Sequence, residues 1–388
     1  MTSPVISGIG ESRFARSLAA PFAEYQIGAI ASALDDANVK PDEVDGLFTV
    51  APVMLELLPP DSVKAALRFS NLSEVAYAPG PTGLGLAVSM AANSVAEGRN
   101  EVAVVYFGVN WGSSAEAYSY HGRYLEKLVW EYPFGFFGQP TYFAMMAKRY
   151  MHDHDLTADE LAETLSIIAL EQRAAALKNS NAQKTQPLSK TDYLTGRMIS
   201  DPLRVHDCCL LSDGAGALVI TTLERARDSG RNRHAAVLGH AYRTSVDGTD
   251  ANFFSQSSTY PRPNSAAEAF RVALADAEVT ADDLDFVQLY DCFTIAVLLQ
   301  IEELGLCERG RGGDYLRRPT TGENARLAIN THGGSLSQAY LLGINHYTEA
   351  VRQIRGEAGS GQLATADLGL VGVAPHHDYA AMVLGAKV

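Results

Sequence analysis

His376-His377-Asp378 closes a late apolar run of this 388-residue chain, at the point where a buried strand would enter a turn. Imidazole exchanges a proton near neutral pH more readily than any other side chain. The turn is therefore a candidate acid/base group, or a donor to a developing oxyanion. A turn histidine bonded to backbone is the opposing reading, and it stays open for His376 and His377 alike. His332, beside Gly333-Gly334, and His346, on the helix expected after it, are further imidazoles to place. Asp291 follows an apolar run, where an acidic residue either orients a neighbour or caps a helix.

Four cysteines offer a second chemistry. Cys208, Cys209, Cys292 and Cys307 show no Cys-x-x-Cys spacing, which argues against a zinc site and against a disulfide framework. Cys292 adjoins the apolar run Phe293 to Leu299 and reads as a small core residue. Cys208-Cys209, before Leu210-Leu211, reads as the start of a core strand. None has a neighbour that would activate a thiol. Gly83-Leu84-Gly85 lacks the third glycine of a dinucleotide fold, and no Gly-Lys-Ser/Thr ends a phosphate loop.

The elements that must position these groups are legible through a repeat. Residues 33–45, ALDDANVKPDEVD, and residues 273–285, ALADAEVTADDLD, agree at seven of thirteen positions at an offset of 240. Each copy reads as a helix, a short acidic turn and a buried strand, Gly46–Val50 in the first half and Phe286–Tyr290 in the second. Each half continues into a Gly-rich turn opening a helix (Gly80 to Gly85; Gly333-Gly334-Ser335) and another buried strand (Val102–Tyr106; Leu368–Val373). Two copies of such a unit predict two similar sheets enclosing helices, a layered α/β architecture. Between them, residues 111–205 do not repeat. That stretch opens aromatic-rich (Trp111 to Phe137), continues as a long helix near 158–178, and ends in a polar loop at 178–184. Such insertions often hold specificity.

Composition narrows the function. The chain is 47% hydrophobic and 20% charged, an ordinary globular balance. Its 31 basic and 45 acidic residues leave a net charge of −14, and with no basic patch this disfavours a nucleic-acid partner. No apolar stretch reaches the roughly 18 residues of a membrane span, and Met1 to Pro4 opens no signal peptide. The expectation is a soluble, cytoplasmic protein without membrane or nucleic-acid contacts.

Asp213-Gly214-Ala215-Gly216-Ala217 after Ser212, the Gly-Gly turn at 333–334 and the duplicated halves together resemble the thiolase superfamily over nearly the whole chain. The resemblance implies the five-layered duplicated thiolase fold: 1–110 as the first part of the N-terminal half, 111–235 as loop insertion and closing N-half strands, and 236–388 as the C-terminal half. It also implies a dimeric core and acyl-CoA substrates. The family's catalytic positions are changed one by one. Gly80 falls where a thiolase carries its acylated cysteine, so no acyl-enzyme forms there. The Asn-Glu-Ala-Phe motif corresponds to Tyr290-Asp291-Cys292-Phe293, and Gly-His-Pro to Ala339-Tyr340-Leu341. The second catalytic cysteine corresponds to about Ala374, just before His376.

This altered set resembles the thiolase-like lipid-transfer-protein branch of bacterial steroid side-chain degradation, whose characterised members are retro-aldolases with a small OB-fold partner. In that branch two tyrosines replace the motif residues, as Tyr290 and Tyr340 do here. The resemblance implies retro-aldol cleavage of a β-hydroxyacyl-CoA. The substrate is expected to be a 17-hydroxy steroid side-chain CoA thioester, yielding a 17-ketosteroid and propionyl-CoA or a shorter acyl-CoA. The reaction needs a base, an acid and donors to the enolate oxygen, with no cofactor or metal beyond the CoA of the substrate. Tyr290 and Tyr340 are expected as the acid/base pair, with His376 beside them and Asp291, His332, His346 and His377 as possible support. A tyrosine base requires its pKa to fall well below about 10. The rival readings are a non-catalytic acyl-CoA or lipid-binding subunit, and an acyltransferase using a non-standard residue.

Overall fold

A computed structural model describes residues 3–51, 57–79, 83–114, 125–136, 138–244, 265–322, 324–373 and 378–387. Ten strands form the main sheet: β1 (Pro4–Glu11), β2 (Gly46–Val50), β3 (Glu74–Ala78), β4 (Val102–Asn110), β5 (Asp213–Thr222), β6 (His234–Thr244), β7 (Phe286–Leu289), β8 (Ala328–Ile329), β9 (Leu368–Val373) and β10 (Asp378–Lys387). The helices that matter here are α1 (Phe22–Ala37), α2 (Leu84–Ala96), α3 (Leu125–Trp130), α4 (Gln139–Asp153), α5 (Ala158–Ala176), α6 (Ser265–Asp276), α7 (Thr294–Glu303) and α8 (Ile344–Arg355).

The strand order β3-β2-β4-β5-β1 of the first half is repeated by β8-β7-β9-β10-β6 in the second. Parallel and antiparallel pairings correspond one for one. The two expected sheets are continuous rather than separate. β1 and β6 join antiparallel through two pairs, Val5↔Ala236 and Ile6↔Ala235. α1 packs on β1 and β5 and α6 on β6 and β10, each on the outside of its own half. α2 and α8 touch strands from both halves and form the middle layer. The result is the layered thiolase-like α/β fold.

The repeated segment shows why seven positions persist. Ala33 and Ala273 present their carbonyls to Gly8 of β1 and Gly239 of β6, where no Cβ would fit. Asp36 accepts the Ile9 amide (2.8 Å), and Asp276 accepts the His240 amide (3.2 Å). Asp45 accepts the amides of Glu101 and Val102, and Asp285 those of Asp367 and Leu368. The same side chains fasten helix to strand and strand to strand in both halves.

In the insertion, α5 begins at Thr157, whose hydroxyl accepts from the Glu160 amide in a reciprocal capping box. It buries Leu161, Leu165 and Ile168. Two expectations at element boundaries are corrected. Cys208 and Cys209 precede the core strand, which starts at Asp213; they follow a 3-10 turn over Val205–Asp207. Gly333-Gly334 does not open α8 directly. A π-helical turn (Gly334–Gln338) intervenes, and the helix starts only at Ile344. No helix among the described residues is long and apolar enough to cross a membrane.

Candidate active site

Tyr290 extends β7 by one residue and is anchored through its backbone. Its amide donates to Gly372 O at 3.0 Å, and its carbonyl accepts from Gln300 Nε2 on α7 at 2.6 Å. Gln300 is braced in turn by the Tyr379 hydroxyl. Tyr340 lies two residues beyond the π-helical turn, and its amide donates to Ser212 Oγ at 2.9 Å. The Trp111 ring meets Tyr340 edge-on, centroids 6.4 Å apart.

The two phenols meet: Tyr290 OH lies 2.9 Å from Tyr340 OH. Fifty residues separate them in sequence, so this contact is built by the fold. Burial pushes both phenols up. Neighbouring ionisable groups and the mutual bond raise Tyr290 further, whereas that bond lowers Tyr340. The condition for a phenolate base, a pKa well below the usual value, is not met at either position, because desolvation disfavours the phenolate. Neutral phenols in mutual contact can still act as a proton relay, each accepting one proton as it gives up another.

Asp291, next in the chain, is fully buried. Its carboxylate accepts the Ser335 amide at 2.8 and 2.9 Å and the Leu336 amide at 3.4 Å, capping the π-helical turn from across the fold. His346 Nε2 stands 3.1 Å from Asp291 Oδ1 and 3.0 Å from Leu289 O. With two acceptors facing it, that nitrogen carries the proton. The His332 ring lies edge-on to His346, centroids 5.0 Å apart, and is held below the usual imidazole range by burial and by the nearby His346 and Arg352. It is therefore neutral at physiological pH. The structure brings the buried Tyr290, Asp291, His332 and His346 together with the half-buried Tyr340. Gly80, His376 and His377 lie outside the described residues.

Sequence reasoning missed Trp111 as a phenol neighbour, Ser212 and Gln300 as backbone anchors, and Cys209. The Cys209 amide donates to Cys292 O at 2.9 Å, which brings both thiols beside the phenol pair. No local pattern marks these residues, since each acts through a partner more than 80 positions away or in another element. Burial pushes the thiols of Cys209 and Cys292 well up, and those of Cys208 and Cys307 to about 12. The thiolate is the reactive form. Iodoacetamide at pH 7.5 is therefore expected to leave activity intact over an hour. Rapid inactivation traced by peptide mapping to Cys209 or Cys292 would show a functional thiol instead.

Comparison with known proteins adds independent observations. The thiolase C-terminal domain-like family matches residues 247–383. A steroid side-chain-cleaving aldolase of Thermomonospora curvata is 33% identical over 361 residues, spanning 90% of each chain. A 17-hydroxy-3-oxo-4-pregnene-20-carboxyl-CoA lyase of Mycobacterium tuberculosis is 30% identical over 367 residues, spanning 90% of this chain and 91% of the other. The solved Ltp2-ChsH2(DUF35) aldolase superposes with a TM-score of 0.86 at 30% identity, covering 100% of this chain and 99% of that one.

Proposed function

The chain belongs to the thiolase superfamily, in its branch of steroid side-chain-cleaving aldolases, and on that premise we propose that it cleaves a β-hydroxyacyl-CoA by a retro-aldol reaction. The substrate class is a 17-hydroxy steroid side-chain CoA thioester, and the products are a 17-ketosteroid and propionyl-CoA. The observation that carries this reading is the 2.9 Å contact between Tyr290 and Tyr340. It supplies an acid/base pair to a family scaffold in which, on the resemblance, Gly80 stands where the acylated cysteine would be.

The phenol facing the substrate takes the β-hydroxyl proton while its own proton passes to the second phenol. The Cα–Cβ bond breaks, its electron pair forms the thioester enolate, and the β-carbon becomes the ketone. In the same concerted event the second phenol releases its own proton to the enolate carbon. Both tyrosines end neutral, and the proton count balances without solvent, cofactor or metal. Because neither phenol has to exist as a free phenolate, the raised pKa values are compatible with the chemistry. On sequence grounds His376, with His377 beside it, supplies donors to the enolate oxygen.

The assembly reading is a homodimeric core carrying a small OB-fold partner. Two surface features support it. β3 is an edge strand with Val75 and Tyr77 exposed, and an open apolar edge is a template for pairing with a second chain. α3 is built inside out. Lys127 and Glu131 are buried against the Tyr142 hydroxyl, while Leu125, Leu128, Val129, Trp130 and, just beyond, Phe134 face outward. Five exposed large apolar side chains within ten residues suit a protein-contact surface.

The test is mass spectrometry of the products after incubating the protein, alone and with a co-expressed OB-fold partner, with the 17-hydroxy thioester. Propionyl-CoA and a 17-ketosteroid should form with no free CoA or redox cofactor added. A thioester that binds tightly but stays intact in both preparations would favour the lipid-binding reading.

A further inference from the structure

Tyr340 lies in a stretch, 339–343, that belongs to no helix or strand. Such a segment has no ladder of its own to hold a phenol within hydrogen-bond distance of another. It is tethered on both sides to a single group. Upstream, the Ser335 and Leu336 amides donate to the Asp291 carboxylate. Downstream, six residues past Tyr340, His346 Nε2 reaches the same carboxylate at 3.1 Å. Asp291 in turn is the residue after Tyr290. We propose that Asp291 is a positioning residue of the phenol pair, its buried carboxylate holding the Tyr340 segment at both ends against the strand that carries Tyr290, while Ser212 holds the Tyr340 amide itself. This role rests on the retro-aldolase reading and deepens it.

Three details fit an aspartate and little else. The carboxylate is fully buried, and a buried anion is tolerated only when its acceptor sites are filled. Here both oxygens face N–H donors, so a carboxylate, which only accepts, suits them where an amide NH₂ would face donors. Gly334, at φ +56°, makes the approach possible: a Cβ there would stand 2.0 Å from Asp291 Oδ2. The side chain must also be short, since the turn closes directly over it. Asp291 makes no bond to either phenol, so it acts through the backbone it holds.

The experiment uses the full chain with its partner. Asp291→Asn is expected to lower kcat by about 10- to 100-fold with KM nearly unchanged, the size of effect that follows a small misplacement of reacting groups. His346→Gln, which keeps an N–H donor at that reach, should stay within about three-fold of wild type, and His346→Ala should follow Asp291→Asn. The rate in mixtures of light and heavy water should curve for wild type, where more than one proton moves in the same step, and become linear in Asp291→Asn. A substrate-free readout separates this proposal from the retro-aldol reading. With ¹³Cζ-tyrosine NMR, the Tyr290 and Tyr340 signals, assigned through their Phe variants, should both shift in Asp291→Asn. Unmoved signals would overturn the positioning role whatever the activity. So would a kcat at the wild-type level, or a reduced kcat with the curvature retained. Failure of wild type to cleave the thioester, with both signals shifting, would instead overturn the retro-aldol reading and leave the positioning intact.

Discussion

Tyr290→Phe and Tyr340→Phe each lower kcat for thioester cleavage by about 10² or more, the typical contribution of a positioned acid/base group. KM changes little, because both rings remain and Trp111 still packs edge-on against position 340. The double variant is barely slower than either single one, since two groups that pass one proton work as a unit and their losses do not add. The pH dependence separates a relay from a phenolate base. Folded-state burial raises both phenols above their usual value, so both remain protonated from about pH 6 to pH 9. A relay of neutral phenols then gives a kcat that is flat across this window. A phenolate base would give a rate rising tenfold per pH unit toward its pKa. Steady-state kinetics over that range decide the matter, and near wild-type activity in both single variants would remove the tyrosines from the mechanism.

The second large effect concerns the fold. Gly10→Ala places a Cβ 2.0 Å from the Ala29 carbonyl oxygen and 2.6 Å from the Ala33 amide nitrogen. Both are backbone atoms of α1, so no side chain can swing aside and the helix must lift from β1. Overpacking of this kind costs about 3 kcal/mol, and the midpoint of chemical denaturation should fall accordingly. Gly28→Ala, in the same helix, meets no atom within 4 Å of its new Cβ. That change should stabilise the protein by about 0.5–1 kcal/mol through helix propensity. Equal midpoints for the two variants would show that α1 does not press on β1 as described.

The thirteen-residue repeat was the most legible part of the fold, because its conserved types do fixed local work. Alanines allow close approach to glycine-bearing strands, and aspartates receive the amides of neighbouring strands. Local periodicity likewise placed α5, whose capping box and apolar face are contiguous in sequence. The chemistry was legible in a different way. Composition distinguishes none of the 17 tyrosines; only their coincidence with two family motif positions pointed to Tyr290 and Tyr340. Their direct contact could not be read, since it depends on how a carboxylate, a glycine at positive φ and a histidine 55 residues on from Asp291 close around one turn. The direction of the phenol pKa values was not legible for the same reason. Burial is a property of the assembled layers, and no neighbouring residue in the chain announces it. α3 escaped notice because Lys127, and Glu131 just beyond it, point inward, against the usual pattern.

The middle layer has a consequence for the order in which the protein can be made. α2 leaves the ribosome with the first half, yet one of its sides rests on strands of the second; Gly85 would meet Ala380 and Val373 if it carried a Cβ. β10, the last strand in chain order, is an interior strand between β9 and β6. Until it is synthesised, the second half-sheet is split and one flank of α2 stays bare. A nascent chain stalled before residue 378 therefore leaves bare the edges of β9 and β6 and the flank of α2 that β10 covers.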